Sequence, residues 1–187
     1  MRSLIVIVIA ALLSAPSLSF ADPVPMAADI SVSGVSLFDL ASQARVLGAE
    51  IPFNRDTPPF SAAFRSKDGR QVLTVFTHPG SVGDIAEFRI SYARGLPRPL
   101  LRISDVESFT TGKGISLGQS ETQVISILGT PPRHNSKGTF RTIEYRIEDN
   151  KLNRSSFLAQ YNMPIYYGIY TFKNDQLVAF QFGFEYP

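Results

Sequence analysis

Cysteine is absent from this chain of 187 residues. That excludes disulfides, thiol catalysis, cysteine-ligated zinc, iron–sulfur clusters and a lipid-bearing cysteine. Histidine is scarce, with only His78 and His134, so a His-rich metal site is excluded too. Neither sign of charge dominates. Eighteen Lys and Arg against sixteen Asp and Glu leave +2, which is no nucleic-acid footprint. No HExxH, P-loop or dinucleotide fingerprint occurs. The expectation is therefore no metal, no cofactor and no nucleic-acid partner. Apolar residues are plentiful, at 44%, so the chain can build a core and is not fully disordered. Its length suits one domain or two small ones.

The first residues read as an address. Met1-Arg2-Ser3 is a short positive start, and Leu4 to Leu13 is an unbroken apolar run. A membrane-spanning helix needs about twenty apolar residues, whereas a run of this length suits a secretory leader. Pro16 breaks it, and Ser19-Phe20-Ala21 offers a cleavage site between Ala21 and Asp22. Residues 1–21 are thus expected to be a signal peptide. No cysteine follows, so no lipid anchor is expected. The destination would be the periplasm or the extracellular space, with stability supplied by packing alone.

An internal repeat is the main signal. Gly34-Val35-Ser36-Leu37 leads to Val46-Leu47-Gly48, and Gly114-Ile115-Ser116-Leu117 leads to Ile127-Leu128-Gly129. Each Leu-Gly is followed by a proline-containing loop, Glu50-Ile51-Pro52 or Thr130-Pro131-Pro132. The expected units are 28–93 and 107–187, joined by a Pro/Arg-rich linker at 94–106. In the second unit, Ser120 and Gln123 predict a capping box for a helix over 120–128. Val124, Ile127 and Leu128 form its apolar stripe, and Gly129 suits its end. In the first unit the pattern predicts Leu37, Leu40, Ala44 and Leu47 on one face. A further short helix is expected before each, at 30–36 and 104–111.

Strands follow in each unit. Ala62–Arg65 and Gln71–Phe76 flank Lys67-Asp68-Gly69, a hairpin signal of the type I′ kind. His78-Pro79-Gly80-Ser81 reads as a turn before the strand Asp84–Tyr92, with Ala86, Phe88, Ile90 and Tyr92 on one side. Phe140–Ile147, Tyr166–Phe172 and Gln176–Tyr186 complete the second unit, with a turn at Lys173-Asn174-Asp175. Residues 148–164 read as a long loop with a helical turn at 153–160. Val178, Phe180, Phe182, Phe184 and Tyr186 alternate onto one face, which is expected to be core.

The stretch Leu117-Gly118-Gln119-Ser120 through Leu128-Gly129-Thr130-Pro131, then an aromatic strand and Tyr170-Thr171-Phe172-Lys173-Asn174-Asp175-Gln176-Leu177-Val178, resembles the BamE-type small domain. That family includes a lipoprotein accessory of the outer-membrane β-barrel assembly machinery. The match covers about 110–187 well and 30–92 loosely; Leu37 stands near the family's turn glycine. The resemblance implies an α+β fold: two tandem repeats, each with short helices packed on one face of a three- or four-stranded antiparallel sheet. Two such units in one exported chain look like the β-lactamase inhibitor protein architecture. Both families bind proteins, and neither is catalytic. The chain departs from both, lacking the lipidated cysteine of one and the disulfides of the other.

Catalytic signals are weak. Gly114-Ile115-Ser116-Leu117-Gly118 fits GxSxG, but that motif needs a strand before it and a helix at once after it. Here Thr110–Lys113 reads as loop. His78 and His134 read as exposed loop residues. Glu144 and Glu148 share a strand without a pocket, and Asn153-Arg154-Ser155 fits a glycosylation sequon. No catalytic residue is assigned.

Period two then defines a second sheet face. It carries Thr142, Glu144, Arg146, Tyr167, Ile169, Thr171 and Gln181, with Glu87, Arg89 and Ser91 from the first unit. Tyr and Arg are enriched at interface hot spots. Partner-binding residues are therefore expected to be Tyr167, Arg146, Glu144, Ile169, Gln181, Arg89 and Glu87. The expected function is a non-catalytic protein-binding module, an envelope assembly or scaffold factor that meets membranes only through a partner. The alternatives are a protein inhibitor of an enzyme and a carrier of a small apolar ligand.

Overall fold

The structure is a computed structural model describing residues 28–54, 60–78, 83–93, 101–149 and 155–185. The expected leader with its Ala21–Asp22 junction, the turn at 79–81, residues 94–100 of the linker, the Asn153 position and Tyr186 lie outside the described residues.

In chain order the elements are β1 (Ser31–Val32), β2 (Val35–Ser36), α1 (Leu40–Leu47), β3 (Phe60–Arg65), β4 (Gln71–Thr77), β5 (Ile85–Tyr92) and β6 (Leu101–Ile103), then α2 (Glu121–Leu128), β7 (Arg133–Lys137), β8 (Phe140–Glu148), α3 (Ser156–Tyr161), β9 (Ile165–Lys173) and β10 (Gln176–Glu185). Eight strands form one sheet in the order β6-β3-β4-β5-β10-β9-β8-β7. Only β3–β6 is parallel; the other seven strands pair antiparallel throughout. β1 and β2 make a separate small hairpin. The class is α+β, with the sheet dominant.

Alternation builds the core face. Phe180, Phe182 and Phe184 stand in register with Tyr170, Gly168 and Tyr166 of β9, and Phe180 and Phe182 also with Ile90 and Phe88 of β5. Phe88 and Phe182 meet at 5.5 Å between ring centroids. Each fully buried side chain of this size contributes about 1.5–3 kcal/mol. Val124 and Leu128 of α2 and Leu158 of α3 join the same buried cluster, so these helices lie on the phenylalanine face.

α2 forms as the sequence predicts. Ser120 Oγ accepts from the Gln123 amide and Gln123 Oε1 from the Ser120 amide, a complete capping box. Gly129 ends the helix at φ 89°. Asn174 and Asp175, at φ 51° and 60°, form a two-residue left-handed turn between β9 and β10, the I′ geometry that matches strand twist.

Elsewhere the structure corrects the sequence reading. No helix occupies 30–36; Ser33 and Gly34, at φ 48° and 84°, turn that segment into the β1–β2 hairpin. Nor is 104–111 helical; Thr111 bridges to Val32 and Thr110 to Ser116. α1 is rotated from the expected stripe. Asp39 caps it, Ser42 Oγ donates to the Asp39 carbonyl, and the Ser36 amide donates to Ser42 Oγ. Those ties turn Ser42, Gln43 and Leu47 inward and leave Leu40 and Ala44 outside. The β3–β4 loop is longer than a type I′ turn. Ser66 pairs with Gln71, Asp68 Oδ1 accepts from Arg70 N, and only Gly69 has positive φ. In β10 a bulge sets Val178 out of the core alternation, and Leu177 is buried in its place. Residues 101–103, inside the expected linker, pair with β3. The helical turn expected at 153–160 is α3, capped by Ser155.

The open face of the sheet as candidate functional site

Strand register brings the expected residues together. One rung across the sheet reads Glu144, Ile169, Gln181, Arg89, Thr74. The next reads Arg146, Tyr167, Gly183, Glu87, Phe76. A third reads Thr142, Thr171, Ala179, Ser91, Val72. All seven expected partner-binding positions therefore share the face opposite the phenylalanines.

Their environments differ. Arg89 is the most open, with its side chain 50% exposed. Its Nε donates to Gln181 Oε1 at 2.9 Å and its Nη2 to Glu87 Oε1 at 3.3 Å, while its guanidinium lies 4.8 Å from the Phe76 ring centroid. Arg146 is clamped. Its Nη1 and Nη2 donate to the two Glu185 carboxylate oxygens at 2.9 and 2.7 Å, and its Nε donates to Glu148. The guanidinium holds the Glu185 carboxyl below its usual value. Arg133 reaches Glu144 at 3.5 Å. Tyr167 is only 9% exposed. It stands in register with Gly183, whose missing side chain leaves room for the β5 backbone at Ala86 and Glu87. Burial and the neighbouring Glu87 push its phenol well above the usual value.

Two clefts flank these rungs. One, of about 580 Å³, is lined by Ser91, Tyr92, Phe140, Lys173, Asn174, Gln176 and Val178. Phe140 is an exposed aromatic, with Lys173 Nζ 5.4 Å from its ring centroid. The other, of about 490 Å³, is lined by Pro132, Arg133, His134, Asn135, Thr142, Glu144 and Ile169. The sequence reading missed Phe76, Phe140, Glu148, Lys173 and Glu185 on this face. The signal was present for four of them: Phe140 and Glu148 share the parity of Thr142, Glu144 and Arg146, Lys173 that of Tyr167, Ile169 and Thr171, and Glu185 that of Gln181.

No family model matches the chain, and neither curated proteins nor solved structures provide a match.

Other polar groups sit elsewhere. Ser116 bridges to Thr110 and donates its amide to Gln119 Oε1, without the strand-to-helix elbow that GxSxG needs. His134 is not in a loop but on β7, with Nδ1 3.8 Å from Glu121 Oε1. Arg141 donates to the same buried carboxylate at 3.0 Å. His78 is half-buried rather than exposed and stacks on Phe38, and burial lowers its pKa. Among the described residues no group of three or more His, Asp or Glu could hold a metal ion, and no helix is long and apolar enough to cross a membrane.

Proposed function

We propose that this chain is an exported, non-catalytic protein-binding module, an envelope assembly or scaffold factor that meets its partner with the open sheet face. The observation that carries this reading is the face itself. Three rungs of mixed polar and aromatic side chains run across five strands, flanked by two clefts and an exposed Phe140. Tyr, Phe and Arg set among polar groups suit an interface core better than a plain solvated surface does.

We further read the chain as a BamE-like unit in tandem, and the order of its elements supports that reading. Helix followed by three strands occurs twice, as α1-β3-β4-β5 and, leaving aside β7 and α3, as α2-β8-β9-β10. Gly48 and Gly129 end the two helices at φ 99° and 89°. Phe38, at φ 56°, occupies the place that Gly118, at φ 92°, holds in the second unit. The last strand of each unit, β5 and β10, pair at the middle of the sheet. The Arg2-to-Ala21 pattern supports export.

The test uses residues 22–187 on a column, with host envelope and soluble exported extracts passed over it. A second column carries Arg89→Glu with Phe140→Ala, and a third Thr122→Ala on the exposed side of α2. Tyr167 and Arg146 are poor choices for this purpose, because their burial and ion pairs would confound binding with stability. An envelope protein held by the first and third columns but lost from the second supports the scaffold reading. A soluble enzyme with the same pattern, whose activity falls on binding, makes the chain an inhibitor. Retention indifferent to the open-face variant, or no retention, overturns the proposal.

A further inference from the structure

Gln43 of α1 is 2% exposed, yet neither Oε1 nor Nε2 of its side chain has a hydrogen-bond partner. A buried amide left unpaired is costly, so each such group calls for an explanation. α2 shows what the position ordinarily takes. Four residues before its final Leu128 stands Val124, fully buried. Four residues before the final Leu47 of α1 stands Gln43. A valine would fill such a place without an orphaned group.

Gln43 is among the residues lining a cleft of about 500 Å³ between α1 and the segment 48–53, with Leu40, Ala44, Ile51 and Phe53 among its walls; its amide is closed to solvent and loses no hydrogen bond by turning into the cleft. Leu40, at 56%, is the most exposed large hydrophobic side chain among the described residues. Two unrelated oddities, an unpaired buried amide and an uncovered leucine, thus meet in one cleft. Its volume falls within the roughly 300–1,000 Å³ of small-ligand sites.

We propose that this cleft is a second binding site, one that takes an extended apolar peptide segment, one residue of which pairs its own N–H and C=O with Gln43. A primary carboxamide presents a donor and an acceptor side by side. One residue of an extended peptide presents the reverse pair on one edge, its own N–H and C=O, which belong to the two peptide groups flanking it, so a single residue satisfies both Oε1 and Nε2. A lone anion or cation satisfies only one of them. Leu40, Ala44, Ile51 and Phe53 supply walls for an aliphatic side chain. α1 turns Leu47 into the phenylalanine-side core, so this site is separate from the open face and stands or falls independently of it.

The experiment titrates ¹⁵N-labelled residues 22–187 with N-acetyl-leucine methylamide, which carries two peptide groups around one isobutyl side chain. The Gln43 side-chain NH2 signals are followed, with the amides of Leu40, Ala44, Ile51 and Phe53. Saturable shifts of the Gln43 pair together with those amides are expected. Gln43→Val is expected to raise the unfolding midpoint and to weaken binding about tenfold or more. Leu40→Asn, at an exposed position that leaves the core intact, is expected to weaken binding as well. Free N-acetyl-leucine, with its carboxylate, is expected to bind less well than the methylamide. Gln43 signals that do not move up to the solubility limit of the probe overturn the proposal. So do backbone shifts that persist unchanged in Gln43→Val, or a Gln43 amide that keeps a bound water throughout the titration.

Discussion

Gly183 lies at the seam where β10 meets β5, opposite Glu87 on one side and Tyr167 on the other. A methyl group added there would stand 2.3 Å from the Ala86 carbonyl oxygen, 2.7 Å from Glu87 Cα and 2.9 Å from Glu87 Cβ. The first two are backbone atoms, which cannot swing aside as a side chain does. Overpacking a well-filled site costs about 1–3 kcal/mol. Obstruction by the neighbouring strand's backbone puts Gly183→Ala at the top of that range, about 3 kcal/mol. With a urea m-value near 2 kcal/mol/M, the midpoint should fall by about 1.5 M at unchanged m. The assay is urea unfolding of residues 22–187 followed by far-ultraviolet circular dichroism. Gly112→Ala is the comparison. Its added methyl would meet Ser31 Oγ at 2.2 Å, but a serine hydroxyl can rotate, so the loss there should be under about 1 kcal/mol. A Gly183→Ala midpoint within about 0.3 M of the parent would refute the close approach of β5 and β10. Restoration by an added Tyr167→Ala would show that the obstacle is the tyrosine and not the β5 backbone.

Other expectations follow from single contacts. Tyr145 donates its hydroxyl to the Gly129 carbonyl at 2.7 Å, and burial, with Glu121 nearby, pushes its phenol up to about 12. Tyr145→Phe should cost about 1–2 kcal/mol in urea unfolding. Parent stability should fall as pH rises from about 10, the unfolded value, through the folded value, because the unfolded phenol ionises first; a variant with the same alkaline loss would disprove this. Burial raises the pKa of Asp29 against hydrogen bonds from Thr111 and the Ser31 and Lys113 backbone. The folded chain therefore holds that proton to higher pH than the unfolded chain does. Stability should fall as pH rises from the ordinary carboxylate range through the raised folded value, and midpoints for Asp29→Asn should lack that fall. Phe38 holds φ 56° while touching Phe184 and Tyr161, at 5.6 and 6.2 Å between ring centroids. Phe38→Gly should melt higher than Phe38→Ala, by about 1 kcal/mol, since both lose the ring contacts but only glycine relieves the backbone; the reverse order would count against left-handed strain at this residue. Association through the open face should vary little in rate with salt, and a steep dependence would point to a different surface.

What was legible was local or strictly periodic. The Ser120–Gln123 box needs only four residues of context, and α2 formed on it. Alternation through 87–91, 142–146, 167–171 and 180–184 is unbroken, so the side assignment of all seven face residues followed from period two. α1 was misread because its inward face carries Ser42 and Gln43 while Leu40 and Ala44 look outward. Hydropathy ranks those the other way, and the Ser36–Ser42 tie that decides the matter reaches out of the helix. In Leu177-Val178-Ala179 three apolar residues run together, and nothing local says which one the bulge displaces. β7 is polar throughout and fully exposed; it is a strand because of its pairing with β8, not because of burial. The Arg146–Glu185 clamp joins β8 to β10 across β9. No spacing in the chain encodes that meeting, because it depends on the strand order of the finished sheet.

If the open face binds a partner as proposed, its ion pairs limit how that partner can be recognised. Arg89 is answered by Glu87, Arg133 by Glu144, and Arg146 by Glu148 and Glu185. Opposite charges this close leave little field beyond a Debye length of about 8–10 Å. Long-range steering is therefore weak, and association should proceed near the unsteered rate of roughly 10⁵–10⁶ M⁻¹s⁻¹. A partner that bonds to Arg89 meets a guanidinium whose Nε and Nη2 already donate to Gln181 and Glu87, so its charge is partly answered and the added bond gains less net energy. Tyr167, already covered, has little area left to bury. The gain must come instead from surface that is still wet, and Phe140 and Tyr92, which both line the larger cleft, are the large aromatics left uncovered there. Under the proposed function, the charged rungs would fix which partner surfaces fit, while Phe140 and the cleft beside it would set how long a partner stays.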